Sequence, residues 1–314
     1  MISPASFFPT NRTSSTATLA QRKCAMILNQ KKIDIVLNYG TGPDGLGEPR
    51  QVKLSGHRVS VSTSLAGGAG MSQAQVRIFG LTLSMMNQLS TVGLLPTAIR
   101  RNTITVLAGD DATSMAQVFQ GTIQAAWADM TQAPEVSFNI TGLGGLIEAL
   151  MPIAPSSFPG SVDAADVLAG LADQMNLTFE NNGVSVILSK PYFPGSARAQ
   201  AQACADAAKI EWVIDNGVLA IWPRGSVRKG LVALISPTTG MIGYPTYTAT
   251  GIIVKTLFNP NFRFGAQVQV ESSLTPACGT WQAVTLNHDL EANTPGGKWF
   301  TQLQLAAIGY VVVA

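Results

Sequence analysis

Alternation of apolar and polar side chains dominates the first half of this chain. Ile33, Ile35 and Leu37 alternate with Asp34 and Asn38, and residues 40–47 then hold four glycines and a proline, a loop signal. His57, Val59 and Val61 alternate with Arg58, Ser60 and Ser62, and Val76, Ile78 and Gly80 with Gln75, Arg77 and Phe79. Ile104 and Val106 alternate with Thr103 and Thr105. Phe119, Ile123 and Trp127 share one face opposite Gln120, Thr122 and Gln124, and Val136, Phe138 and Ile140 share another. A period of two buries one face of a strand and leaves the other to water or a partner. Five or more such segments punctuated by Gly and Pro predict an antiparallel barrel or sandwich.

One helix interrupts this region. Leu81, Met85, Gln88 and Leu89 have helical spacing near 83–92, with Ser84 as cap and Gly93 and Pro96 as terminators.

The middle changes character. Residues 142–155 are apolar and Gly-rich, and 161–176 read as a helix capped by Ser161 or Asp163, with Val167, Leu168, Leu171 and Met175 on one stripe. Residues 177–179 and 184–188 flank Asn181 to Gly183 and predict a hairpin. An Ala-rich helix follows over 196–208, and 212–215 and 218–222 flank Asn216–Gly217 as a second hairpin. Beyond 231 the strand pattern returns at 251–258, 266–271, 282–287 and 298–313. Asn259–Pro260 and Pro295, Gly296 and Gly297 supply turns.

The expected fold class is therefore mainly β with an α+β insertion. It divides into a flexible N-terminal arm (1–30), a first β-barrel (31–142), a helix–hairpin unit (143–229) and a second β-region (230–314). That last stretch forms a second small barrel or completes the first; the former is favoured.

Composition narrows the function. Of 314 residues, 46% are hydrophobic and only 12% charged, so much of the surface is expected to be covered by other subunits. Net charge is +2, and the cationic cluster Arg22, Lys23, Lys31 and Lys32 is too sparse to read as a nucleic-acid site. Cys24, Cys204 and Cys278 are odd in number and far apart, against a disulfide framework or zinc site and in keeping with a reducing compartment. No apolar run reaches the ~20 residues of a membrane span.

Candidate chemistry is thin. His288 and Asp289 superficially suggest a metal phosphohydrolase pair, but only His57 remains as a further histidine, and a turn stabilised by Asp289 is expected there. Gly67, Gly68 and Gly70 lack the Lys and Ser/Thr of a phosphate loop and read as a mobile connection; Gly142, Gly144 and Gly145 read as packing or hinge positions. Asp110–Asp111 reads as a turn, and Glu180 and Glu211 are undetermined. Trp127, Trp212, Trp222, Trp281 and Trp299 lie in or beside strands, as core or interface anchors. No residue is singled out as catalytic, cofactor-binding or metal-ligating.

Several stretches are familiar. AQVRIFG at 74–80, LTLSMMNQLSTVG at 81–93, RNTITVLAGD at 101–110 and VFQGTIQAAWA at 118–128 resemble tailed-bacteriophage baseplate hub proteins. So do TGIIVKTLFNPNFRFG at 250–265, VESSL at 270–274 and LNHDLEANTPGGKW at 286–299. The resemblance spans roughly residues 31–310 and carries no catalytic signature. It implies two tube-type β-barrels separated by a smaller insertion, three chains closing into a ring, and no enzyme activity. The implied role is a structural hub of the virion tail, joining the tail tube to the central spike around a lumen for DNA. Implied partners are further copies of the chain, the tail tube and tail spike proteins, and other baseplate and tape-measure proteins. DNA enters only as passing cargo, no cofactor is needed, and assembly takes place in the host cytoplasm. The alternatives are a tail-associated cell-wall hydrolase, needing an acid pair across a cleft, and a receptor- or carbohydrate-binding tail module with exposed aromatics.

Overall fold

A computed structural model describes residues 30–40, 48–90, 102–110 and 114–309. Residues 1–29 of the predicted N-terminal arm, Cys24 among them, residues 41–47 of the predicted glycine loop, Gly93, Pro96, Asp111 and the end of the last predicted strand lie outside these residues.

The alternating segments form β1 (Lys31–Gly40), β2 (Pro49–Leu54), β3 (Val59–Leu65), β4 (Gln73–Phe79), β5 (Thr103–Asp110), β6 (Ala116–Asp129) and β7 (Ser137–Leu143). Their inward residues, among them Ile35, Val61, Ile78, Ile104 and Phe138, build a first hydrophobic core. Helix α1 (Leu83–Leu89) rests on it through Met86, with Met85 and Leu89 of the expected stripe partly buried beside it and Gln88 exposed. Its cap is Thr82 rather than Ser84: Thr82 has the extended backbone a cap requires, and its Oγ1 accepts from the amide of Met85 at 3.3 Å.

β6 departs from strict alternation. Phe119 and Ile123 are buried, but Trp127 is 48% exposed. The register with β7 shifts between Ile123 and Ala125, so one extra residue sends Trp127 to the opposite face.

The C-terminal strands are β15 (Arg228–Ile235), β16 (Thr246–Thr248), β17 (Gly251–Leu257), β18 (Ala266–Val270), β19 (Gly279–Ala292) and β20 (Trp299–Ala307). They form a core of their own, with Ile252, Val254, Val268, Leu286, Leu303 and Leu305, and they also complete the first one, to which Leu290 and Ala292 belong. β19 makes both possible. Along one edge its start pairs with β18 (Val270↔Gly279) and its end with β3 (Leu286↔Leu65 through Ala292↔Val59), while β20 lines the other edge. A register shift between Ala283 and Thr285 separates the two halves. Among the described residues, thirteen strands thus join in one sheet. It is antiparallel as expected except for β15, which runs parallel to β18.

Between the two β-regions lie α2 (Leu146–Leu150), β8 (Ser156–Ser157), β9 (Ser161–Asp163), α3 (Ala164–Gln174), β10 (Thr178–Asn181), β11 (Ile187–Ser189), β12 (Tyr192–Phe193), α4 (Ala197–Ala208), β13 (Ile210–Asp215) and β14 (Val218–Pro223). Asp163 caps α3 and Ser196 caps α4. The second predicted hairpin is β13–β14, and Asn216 and Gly217 both take positive φ (51° and 81°), as a two-residue primed turn demands. The first predicted hairpin does not form. β10 runs parallel along β14, and β11 pairs instead with β9. The cause is local: the Asn181 side chain accepts from the amides of Gly183 and Val184 in a turn that carries the chain off the sheet, and buried Val184 drops into the insertion core.

Two arginines bolt the insertion to the β-framework. Arg228, at the start of β15, is almost wholly buried; its guanidinium grips Glu180 at 2.9 and 2.8 Å and Asp215 at 3.2 Å. The Arg228 hydrogen bonds hold the Glu180 carboxyl down at about 2, whereas burial pushes Asp215 up against the pull of Arg228. Arg198 on α4 donates to the carbonyls of Gly68 and Gly70 at 2.8 and 2.6 Å and stacks over Trp212, whose own carbonyl takes the Gly68 amide at 2.8 Å. The glycine connection expected to be mobile is therefore a docking point, and at Gly67 any side chain would collide with the ring of Phe264.

Removing one partner of a buried ion cluster strands the others without compensation. Arg228→Met should lower unfolding free energy by roughly 3–5 kcal/mol in urea titrations, and adding Glu180→Gln and Asp215→Asn should recover part of the loss. An unchanged midpoint would contradict the clamp.

Candidate functional surface

Eight strands in the order β16–β17–β20–β19–β3–β4–β7–β6 run across both cores, and their register sorts every side chain to one of two faces. The inner face feeds the cores. On the outer face one row passes through Thr141, Gln75, Ser62, Asp289 and Phe300, and the next through Trp127, Asn139, Arg77, Ser60 and Glu291. A further row carries Ser64, Asn287, Gln302 and Lys255. Serine, threonine and amide side chains predominate, and the charges are mixed in sign: Arg58, Arg77 and Lys255 stand among Asp129, Asp289 and Glu291.

These groups bond largely to one another. Ser62 donates to Asp289 at 2.9 Å and Arg77 to Asn139 at 3.1 Å, while Lys255 sits over the Phe300 ring. A shallow hollow of about 450 Å³, bordered by Arg58, Gln75, Arg77, Trp127 and Asn139, dips into this face.

A polar row crosses the inner face as well. Thr63, His288, Thr301 and Thr256 are register neighbours, all buried. On each of the three central strands this residue stands between a member of the first core and one of the second: Val61 and Leu65 flank Thr63, Leu290 and Leu286 flank His288, and Trp299 and Leu303 flank Thr301. His288 Nδ1 pairs with Thr301 Oγ1 at 2.9 Å, and the ring meets Phe258 edge-on at 5.3 Å. Thr256 Oγ1 donates to the Gly240 carbonyl at 3.1 Å, whereas Thr63 Oγ1 has no hydrogen-bond partner.

The sequence of residues 33–295 matches the model of the family described as Baseplate hub gp41. This chain belongs to that family. It is a structural component of the phage tail baseplate, and the virion tail is its place. No curated protein matches the sequence of this hub protein. Its fold is similar to that of a tail protein from Neisseria meningitidis MC58, with a TM-score of 0.58 at 9% identity, covering 88% of the hub chain and 98% of the other. It is similar also to a 43 kDa tail protein of prophage MuSo2 from Shewanella oneidensis, with a TM-score of 0.54, 9% identity, and 87% and 96% coverage. A third similar structure is an E. coli type VI secretion component, itself described as similar to the T4 tail proteins gp27 and gp5; here the TM-score is 0.54 at 9% identity, over 81% of the hub chain and 75% of that one.

In the hub protein the residues weighed for chemistry are dispersed. His288 and Asp289 lie inside β19, not at a turn, and point to opposite faces, because β19 continues to Ala292 to close the first core. His57 Nδ1 faces the Phe79 carbonyl at 3.2 Å. Asp110 ends β5 in an ion pair with Lys31 at 3.2 Å, and the turn expected at Asp110–Asp111 lies outside the described residues. Glu211 accepts from the Trp222 indole at 2.8 Å, and burial raises its pKa. Gly142 packs against Ile104 and Phe119, and Gly145 begins α2 with φ 73°. Trp212 and Trp222 are core residues, Trp281 and Trp299 are half-buried, and Trp127 alone of the five is exposed. Cys204 and Cys278 are free, and burial pushes the Cys204 thiol up to about 12. Among the described residues no group of three or more His, Cys, Asp and Glu side chains is placed to hold a metal ion, and no helix is long and apolar enough to cross a membrane. The outer polar face was written in the alternation all along, but which strands share it depends on the β3–β19 pairing, which local pattern does not reveal.

Burial pushes His288 down to about 4. The unfolded chain takes up this proton near 6.5 and the folded chain only near 4, so the His288 contribution lowers stability as pH drops from about 6.5 to 4 and is constant below. The His288 contribution to that fall should reach at most roughly 3 kcal/mol. Thermal melts from pH 7 to 4 should therefore show a shallower decline for His288→Gln than for the natural chain, and parallel declines would contradict the assignment.

Proposed function

We propose that three copies of this hub protein close into a ring that joins the tail tube to the central spike, with the eight-stranded polar face turned toward the axis as the wall of a DNA lumen. The observation that carries this reading is the face itself. It is continuous across both cores of the chain, so three chains would present six similar units around an axis. Its chemistry suits passage rather than capture. Tight binding to DNA comes from Lys and Arg that displace counterions from phosphates. Cations interleaved with carboxylates, Arg58 itself paired with Glu135, and many hydroxyl and amide groups offer no such grip.

In this reading the units 31–142 and 230–314 are the two tube-type barrels, and 143–229 is a bracket outside the lumen wall. The chain works by closure rather than by catalysis. Ring formation hides strand edges that would otherwise recruit stray strands. Tube, spike, tape-measure and other baseplate proteins are its partners, met during assembly in the host cytoplasm.

Solution mass with negative-stain imaging of the purified full chain tests the proposal. The expected result is a species of about three times the 33.0 kDa chain mass, seen as rings with six-fold-like projections. A monomer at every concentration would contradict it.

A further inference from the structure

A ring of three copies needs two different surfaces on each chain, one meeting the other on the neighbour; a surface that pairs with itself closes at two. The free strand edges narrow the choice for one of these surfaces. β2 presents exposed Arg50, Gln51 and Lys53, charged and polar side chains of the kind that discourage strand addition. β16 is only three residues long. β15 is neither. Opposite β18, its outer edge pairs with no strand among the described residues. Its register breaks between Arg228 and Ala233, so the intervening segment swings out of the ladder, with Leu231 81% exposed and Val232 and Leu234 exposed beside it. An apolar, unprotected edge of this kind is normally covered.

Resting on the ring reading, we propose that the β15 edge is the seam onto which a second copy of this chain docks, and that the neighbour contributes the end of β6, where Trp127 and Met130 are exposed. The β6 end supplies the complementary chemistry. Trp127 and Met130 offer apolar surface on the other β-region of the chain, as a head-to-tail contact requires. The flanking charges are opposite: Lys229 beside Leu231 is exposed, and Asp129 stands between Trp127 and Met130. Asp129 is held ionised below the usual carboxylate range by its hydrogen bonds from Thr131. The contact joins the second β-region of one copy to the first of the next, so the two alternate around the ring.

The test compares the natural full chain with Leu231→Lys/Leu234→Lys, two exposed positions whose change leaves the cores intact. It adds a Val232→Cys/Met130→Cys chain in a Cys24→Ser/Cys278→Ser background. Expected are trimers for the natural chain, association at least tenfold weaker for the lysine variant with an unchanged circular dichroism spectrum, and interchain disulfides that need both new cysteines. Trimers that persist in the lysine variant, or oxidation that links no chains, would overturn the seam while leaving the ring reading intact. A natural chain that never associates would overturn the ring reading, and the seam with it.

Discussion

Everything in this architecture depends on the pairing of β3 with β19. The two strands lie more than two hundred residues apart in sequence, yet Val59 faces Ala292 and Leu65 faces Leu286 across the ladder. Without that pairing the two β-regions would be separate bodies with an insertion between them. With it they share a sheet, and fourteen-residue β19 is the strand on which both cores draw. Closing so long a loop costs only modestly more entropy than closing a short one, because the cost grows with the logarithm of length. The apolar surface buried on both sides of the seam offsets it.

The seam explains the placement of the polar residues. Where two cores meet along one strand, the register must not slip, since a shift of one residue would exchange the inner and outer faces. The buried row from Thr63 to Thr256 resists such a slip: His288 and Thr301 satisfy each other only in this register. On the other side of the same strands hydroxyl and amide side chains predominate and the charges are mixed in sign. One register thus fixes both the interior and the face assigned to the lumen.

Much of the fold was legible in the sequence because strand alternation and helix capping are local. Ile33 to Leu37, Val76 to Ile78, both long insertion helices and the Asn216–Gly217 turn stand where their patterns put them. The failures are equally physical. The bulge in β6 inverted the face of Trp127, and no residue in that stretch announces it. Asn181 to Gly183 form a turn, but the strand before it found a better edge on β14. The glycines at 67–70 looked mobile because Arg198, which fixes them, comes 130 positions later. His288 looked like a turn residue because the second role of β19, completing the first core, is a long-range fact. The functional face suffered from the same limit: each polar residue was visible, their common surface was not.

The central proposal is that one continuous face of this hub protein lines an axial channel. A cryo-electron microscopy reconstruction of the assembled full chain measures this directly. The expected result is a three-chain ring in which Ser62, Arg77 and Gln302 project into the channel and the insertion lies on the outside. A ring whose channel is lined by the insertion, with those three side chains buried between subunits or facing the exterior, would contradict it.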